Sequence, residues 1–291
     1  MDEKTPIDVS VVLPCYNGGP LLAVQLDAIA AQEFDQPWEL VFVDNASTDG
    51  SADMARAYQD RIPNLRVIDA SAEKGQPFAL NTGIKAAAGS RIILCDADDE
   101  VAPGWLRAMA AALSEHPLVA SRMDQRKLNP KWLQSDMQWD TLQKLWYPPY
   151  SAHGAGATLG FHKSLFEDIG SFESSLPYLH DTEFCIQAGK RGVAMHLVTD
   201  AVVHYRRRTS LKAHMRQSRN YAVYNTILAR RHQPEGGGVL AYWARFLRDW
   251  FRILLLLRRI RSTPRRYELA WMYGRQLGRI EGVIRFGGIP V

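Results

Sequence analysis

Leu94-Cys95-Asp96-Ala97-Asp98-Asp99-Glu100 places four acids within five positions. They follow a short apolar run, Arg91 to Cys95, and precede Pro103-Gly104 and an apolar-periodic segment that starts at Trp105. The run reads as a buried strand of a parallel sheet, and the segment after it as a helix. The acids therefore stand at the carboxyl end of a strand, where open α/β sheets bind ligands. Carboxylates crowded together repel one another unless a cation or a hydrogen-bond donor neutralises them. A hard divalent ion, held by one or two carboxylates and by substrate phosphates, meets that need. The alternative is local: an acidic turn that caps the following helix.

The elements that must position these acids alternate along the first part of the chain. Asp8 to Pro14 is an apolar strand, broken at Cys15-Tyr16-Asn17-Gly18-Gly19-Pro20. A helix over 21–32 carries Leu22, Leu26 and Ile29 on one stripe. Trp38 to Val43 is a second strand. It ends at Asp44-Asn45-Ala46-Ser47-Thr48-Asp49-Gly50-Ser51, a polar loop with several helix-capping residues. A helix over 51–60, a strand over 65–68, the turn Lys74-Gly75-Gln76-Pro77 and a helix over 78–88 lead into the acidic strand. This β-α-β-α-β-α-β order with short connections predicts a doubly wound, mostly parallel sheet. Asp44 and Asp96 then lie on the same edge.

Composition supports a globular protein: 46% of the 291 residues are hydrophobic. Three widely separated cysteines with no Cys-x-x-Cys spacing argue against a zinc site or a disulfide framework and for a reducing compartment. The polar start of the chain does not read as a signal peptide. The net charge of +4 conceals a polarity: residues 1–200 carry 16 Lys and Arg against 27 Asp and Glu, and residues 201–291 carry 19 against 4. The acidic part suits a cation, and the basic part suits an anionic surface or a phosphate-bearing ligand.

Four stretches, in order and spacing, resemble the successive motifs of family 2 glycosyltransferases of the GT-A fold. They are Val11 to Asn17, Val41 to Gly50, Asn81 to Gly89 and Leu94 to Asp99. The resemblance covers roughly 8–205. It implies a catalytic domain over 1–205, with a nucleotide-sugar half at about 8–115 and an acceptor half at about 116–205; the change to basic composition from Arg206 marks a mainly helical extension over 206–291. It implies an inverting transfer from a UDP- or dTDP-type sugar to an acceptor hydroxyl, in cell-surface polysaccharide or glycolipid synthesis. Pro14, Tyr16, Asp44, Lys74 and Asp96 are then expected at the nucleotide sugar. Asn45 stands where the family usually has a second acid. Asp98 is expected as the main ligand of a divalent metal (Mn²⁺ or Mg²⁺), with Asp96 and His204 as further ligands and Asp99 as an alternate or supporting one. Such an ion would screen charge on the departing diphosphate. Asp181, in Leu179-His180-Asp181-Thr182-Glu183, matches the general base that takes the acceptor proton. His180 replaces the usual acid beside it, and together with Trp139 and Trp146 it is assigned to the acceptor.

Arg206-Arg207-Arg208 opens the basic extension as a loop expected to close over the diphosphate. Residues 211–232 read as a basic helix, and Trp271 to Val291 as another. Between them, 240–260 interleaves Trp, Phe and Leu with arginines. Its uninterrupted apolar run, Ile253 to Leu257, is short of the ~20 residues that span a bilayer. It fits either a helix lying in a membrane interface or one packed on the protein with its arginines outward. The expected setting is cytoplasmic, peripheral on the inner membrane face, with a lipid-linked, glycan or other hydroxyl acceptor and no nucleic acid. Two other readings use the same features. A metal-dependent sugar nucleotidyltransferase would need a basic phosphate loop after the first strand, and the loop here has no Lys or Arg. A non-enzymatic basic module for membrane or nucleic acid leaves the ordered acids unexplained.

Overall fold

The computed structural model describes residues 6–62, 64–134, 152–232, 238–258 and 260–290. They fall into two compact units: an α/β unit of residues 6–128 and 152–206, and a helical unit of residues 129–134 and 207–290.

In the α/β unit, strands β1 (Val9–Cys15), β2 (Trp38–Asp44), β3 (Arg66–Asp69) and β4 (Arg91–Leu94) alternate with helices α1 (Gly19–Ala30), α2 (Ser51–Arg56) and α3 (Gln76–Ala86). After the two-residue β5 (Glu100–Val101) come α4 (Trp105–Glu115) and β6 (Leu118–Asp124). The helical unit contributes a single turn, α5 (Lys131–Gln134). A 3₁₀ turn at Gly156–Thr158 then leads into β7 (Leu159–His162), α6 (Lys163–Ile169), α7 (His180–Lys190) and β8 (His196–His204). The eight strands form one sheet in the order β3-β2-β1-β4-β7-β6-β8-β5.

The parallel half of this sheet follows the alternation in the sequence. β1 pairs with β2 and β4, and β2 with β3, all parallel. Successive side chains of a strand face opposite ways, so β1 and β2 feed two cores. Val9, Val11, Leu13, Leu40 and Phe42 pack with Leu22, Leu26 and Ile29 of α1 and Trp105 and Met109 of α4. Val12, Val41 and Val43 pack with Leu80 and Ile84 of α3 on the other face. Gly83 permits that approach, because a Cβ there would lie 2.6 Å from Val43 Cγ2.

The second half departs from a doubly wound parallel sheet. β7 runs antiparallel between β4 and β6, β6 and β8 are parallel, and β5 closes the edge antiparallel to β8. β8 runs unbroken through Thr199 and Asp200, two polar residues between its apolar stretches. Its pairing with β6 jumps from Ser121↔Val198 to Arg122↔Val202, so the break in hydrophobic pattern is a β-bulge.

The helical unit holds α5, α8 (Leu211–His232), α9 (Val239–Leu257) and α10 (Thr263–Phe286). α8 has the expected limits. α10 begins earlier than Trp271, since Ser262 and Pro264 provide a helix start that its weak periodicity hid. Gly274, Gly278 and Gly282 let α10 lie directly on α8. Cβ atoms at these positions would collide with the Met215 and Arg219 carbonyls and with Thr226 Oγ1. Among the described residues, no helix is long and apolar enough to cross a membrane.

Candidate active site at the carboxyl edge of the sheet

The ends of β1 and β2 are tied together by side chains that the sequence marks only as helix caps. Asn17 N–H donates to Ser47 Oγ at 3.0 Å, Gly18 N–H to Ser51 Oγ at 3.0 Å, and Gly19 N–H to Asp49 Oδ2 at 2.9 Å. Thr48 N–H returns a bond to Asn17 Oδ1 at 2.8 Å. The N-cap position of α2 is taken by Gly50 with φ of 85°. Asn17 and Ala46, at φ of 52° and 65°, absorb the sharp turns in these loops. Asp44 stays at the end of β2, half-buried, with Oδ1 accepting from Ser47 N–H at 3.1 Å.

Asn45 is buried and stitches a third loop to this edge. Its Nδ2 donates to the carbonyls of Ala70 at 2.6 Å and Glu73 at 2.7 Å, and its Oδ1 accepts from Gly75 N–H at 2.8 Å. A carboxylate could not make the two donations, so the amide is a structural requirement here. The loop it holds presents Lys74, whose Nζ lies 5.9 Å from the centre of the Tyr16 ring. Tyr16 is 57% exposed and forms part of the edge, not of the core. Pro14 is buried inside β1 opposite Val43, one residue short of the strand's end at Cys15.

The acidic loop after β4 is clamped from α1. Gln25, a fully buried polar residue within the apolar stripe of that helix, donates to the Asp96 carbonyl at 2.9 Å and accepts from Val101 N–H at 3.0 Å. Asp96, Asp98 and Asp99 each turn one carboxylate oxygen into a group whose members lie within 4.8 Å of one another. Gln76, at the start of α3, donates to Asp96 Oδ1 at 3.0 Å. Asp99 is wholly buried and accepts the Arg206 amide at 2.8 Å, and Arg206 Nε donates to the Asp98 carbonyl at 3.0 Å. Burial first, and then the Asp96 and Asp99 charges, push the Cys95 thiol well above its usual range, so it is no nucleophile. Three hard carboxylate oxygens at this separation are a donor set that fits a divalent cation.

Asp181 reaches the same edge by a different route. β7 is antiparallel to β4, with Ile93 opposite Gly160. The 3₁₀ turn just before β7 therefore lies at the end of β4 from which the acids emerge. Gly156 N–H of that turn donates to Asp181 Oδ2 at 2.7 Å, and Thr182 N–H to Oδ1 at 2.8 Å. The two amides fix the carboxylate's orientation. The residue capping α7 is Leu179, with φ of 63°. A leucine held in the left-handed region is strained, a cost of order 1–3 kcal/mol that is sustained where the surroundings over-determine it.

His204 stands outside the three-acid group. The β5–β8 pairing sets it opposite Glu100, and its Nδ1 lies 2.7 Å from Asp124 Oδ2. Burial acts to raise the Asp124 carboxyl, but the Arg126 amide and then His204 outweigh it and hold it below its ordinary value. A carboxylate on Nδ1 fixes the orientation of the ring. His180, expected at the acceptor, is instead a core residue: 6% exposed, edge-on to Phe172 at 5.3 Å, with neither ring nitrogen in a well-formed hydrogen bond. Burial pushes its pKa down, against the opposing Asp181 charge and the Leu176 backbone. Trp139 and Trp146 lie outside the described residues. Gln25 and Gln76 escaped the sequence reading. Gln25 carried one signal, a polar residue in phase with Leu22, Leu26 and Ile29; Gln76 carried none beyond its place after a glycine.

Residues 10–170 match the family model described as glycosyl transferase family 2. The uncharacterized glycosyltransferase YibD of Escherichia coli is 29% identical over 124 residues, which are 43% of this chain and 34% of YibD, so the chain matches about a third of that relative's length. The mannosyltransferase PcManGT from Pyrobaculum calidifontis, solved in complex with GDP-Man and Mn²⁺, superposes with a TM-score of 0.68 at 19% identity, covering 98% of this chain and 90% of that one. The S. aureus TarS fragment 1-349 in complex with UDP-GlcNAc gives 0.54 at 17%, covering 97% and 92%. At these identities the likeness is one of fold, and the fold is GT-A.

Proposed function

The chain belongs to glycosyl transferase family 2, and from that premise we propose that it transfers a sugar from a nucleoside diphosphate donor to an acceptor hydroxyl with inversion at the anomeric carbon. The observation that carries this reading is the grouping of Asp96, Asp98 and Asp99 within 4.8 Å at the strand edge. Asp98 and Asp96 would hold a divalent metal, Mn²⁺ or Mg²⁺, with His204 Nε2 as a further ligand and Asp99 supporting the loop from below. When bound, such an ion supplies electrostatic stabilisation of the departing diphosphate. That the neighbours of this fold hold GDP-Man with Mn²⁺ and UDP-GlcNAc supports a nucleotide sugar as the donor class; within it we assign a UDP- or dTDP-type donor. Asp44 accepts from the base or ribose, Tyr16 and Lys74 flank the nucleotide, and Arg206 meets the diphosphate from beside the Asp98 carbonyl.

Asp181 is the general base. It takes the acceptor proton as the hydroxyl oxygen attacks from the face opposite the leaving group, and the Gly156 and Thr182 amides keep its carboxylate aimed. We assign this chemistry to residues 1–205, the basic helices of 206–291 to attachment, and the acceptor to a lipid-linked or glycan hydroxyl at the inner membrane face.

The test is release of nucleoside diphosphate from a panel of donor sugars, with and without added Mn²⁺ or Mg²⁺. Asp181→Asn should lower kcat by roughly 10²–10⁴-fold with little change in donor KM. Asp98→Ala should abolish the response to added metal. Turnover unchanged in both variants would sink the reading. Pyrophosphate as the product would identify a nucleotidyltransferase instead.

A further inference from the structure

Helix α9 turns an acid inward and a row of apolar residues outward. The residues it turns inward are Tyr242, Asp249 and Ile253, all buried, and Asp249 bonds Arg275 at 2.6 Å and Arg279 at 3.0 Å on α10. Outward it turns a row of apolar residues beside exposed Arg248 and Arg252: Leu240 is 85% exposed, Leu247 63% and Phe251 61%, with Trp243 and Leu254 exposed among them. Their spacings of three and four make a stripe along the whole helix. At about 100° per residue, Arg245, Arg248 and Arg252 fall along one border of that stripe, and Arg258 and Arg261 stand exposed beyond its end. A helix that faced only water would not leave a row of leucines and aromatics exposed along its length.

We propose that α9 lies in the headgroup region of an anionic phospholipid bilayer. The apolar stripe enters the acyl boundary, and the bordering arginines reach lipid phosphates. Charge selects this occupant over a second copy of the chain. Residues 201–291 carry 19 Lys and Arg against 4 Asp and Glu, so pairing two such units brings like charge to like, whereas an anionic surface attracts it. Arginine stems cover apolar surface while their heads remain at the phosphate level. The helix lies in the surface and does not cross it, since no described helix is long and apolar enough to span. This surface is independent of the catalytic assignment.

The test is sedimentation of the full chain with vesicles of phosphatidylcholine alone and of phosphatidylcholine mixed with phosphatidylglycerol. Binding is expected to the mixed vesicles and to weaken with added salt. Combining Leu247→Ser, Phe251→Ser and Leu254→Ser should weaken it about tenfold or more, with an unchanged far-ultraviolet spectrum and unchanged donor turnover. Arg252→Glu with Arg258→Glu, both exposed, should weaken it through the charge. Asp98→Ala should bind vesicles like the parent, which separates failure of this surface from failure of the catalytic reading. Absence of binding to the mixed vesicles overturns the proposal. So does binding that the serine variant leaves intact, or sedimentation equilibrium showing a dimer that the serine variant dissociates.

Discussion

The two units bury carboxylates for opposite ends. In the α/β unit, Asp99 is wholly buried and receives a backbone amide, from Arg206, while Asp96 and Asp98 remain half-buried at a strand edge beside it. In the helical unit, Asp249 is 2% exposed and receives two guanidinium groups from α10. One arrangement gathers acids at a strand edge, a donor set that fits a cation. The other consumes an acid within the fold, and with the polar pair inside, the apolar residues of α9 are left outside. An acid's function thus depends on what its neighbouring elements bring to it: amides and further carboxylates from strand ends, or arginines from a helix one turn away.

The largest effect that would break this contrast is on Asp249. Asp249→Ala removes the acid that Arg275 and Arg279 share, and breaking a buried pair in this way costs about 3–5 kcal/mol. Urea unfolding followed by tryptophan fluorescence measures it. A loss below about 1 kcal/mol would mean that the pair is solvated and the contrast false. Asp249→Leu together with Arg279→Met, which removes the acid and the more buried of its two α10 arginines, should recover most of the loss.

Next is a response to pH. His214 is buried against Tyr267 and Trp271, and burial first, then the Arg207 charge, push its pKa down to about 4. The unfolded chain binds a proton near pH 6.5 that the folded chain refuses. The stabilisation is therefore complete above about pH 6.5, falls as the pH is lowered, and levels off below about pH 4, with a total of at most about 3 kcal/mol. His180, also depressed by burial, adds in the same direction. Urea midpoints from pH 7 to 4 should fall, and His214→Phe should remove part of the slope. A midpoint that rises on acidification contradicts the assignment of both histidines as buried and neutral.

The smallest expected effect sharpens the α/β side. Asn45→Ala leaves the Ala70 and Glu73 carbonyls and the Gly75 amide without their buried partner, at about 1–3 kcal/mol for a group left unsatisfied. Because that loop carries Lys74, the kinetic signature should be a raised donor KM with a smaller change in kcat. Asn45→Asp keeps the acceptor but cannot donate, so it should do no better than alanine. An unaltered KM would show that the loop is held by other contacts.

These cases also mark how far the chain could be understood before its fold was known. The parallel half of the sheet followed from apolar runs of strand length separated by helical periodicity, and it put Asp44 and the acids after β4 on one edge without any contact being known. The antiparallel insertion of β7 was hidden, because a strand's direction is set by which neighbour completes its hydrogen bonds, and Leu159–His162 has the same apolar character either way. That insertion is what brings the Gly156 amide to Asp181.

The inward turn of Asp249 was hidden too. Its face on α9 depends on where α10 presents Arg275 and Arg279, two positions some thirty residues away. Local spacing settled which residues share a strand end or a helix face, since 2.0 and 3.6 are properties of the backbone alone. Whether an acid waits at an edge or is paired in a core, and whether a row of leucines faces in or out, was decided by non-local neighbours. Burial and pairing are energies of the assembled structure, not of the segment that carries the residue.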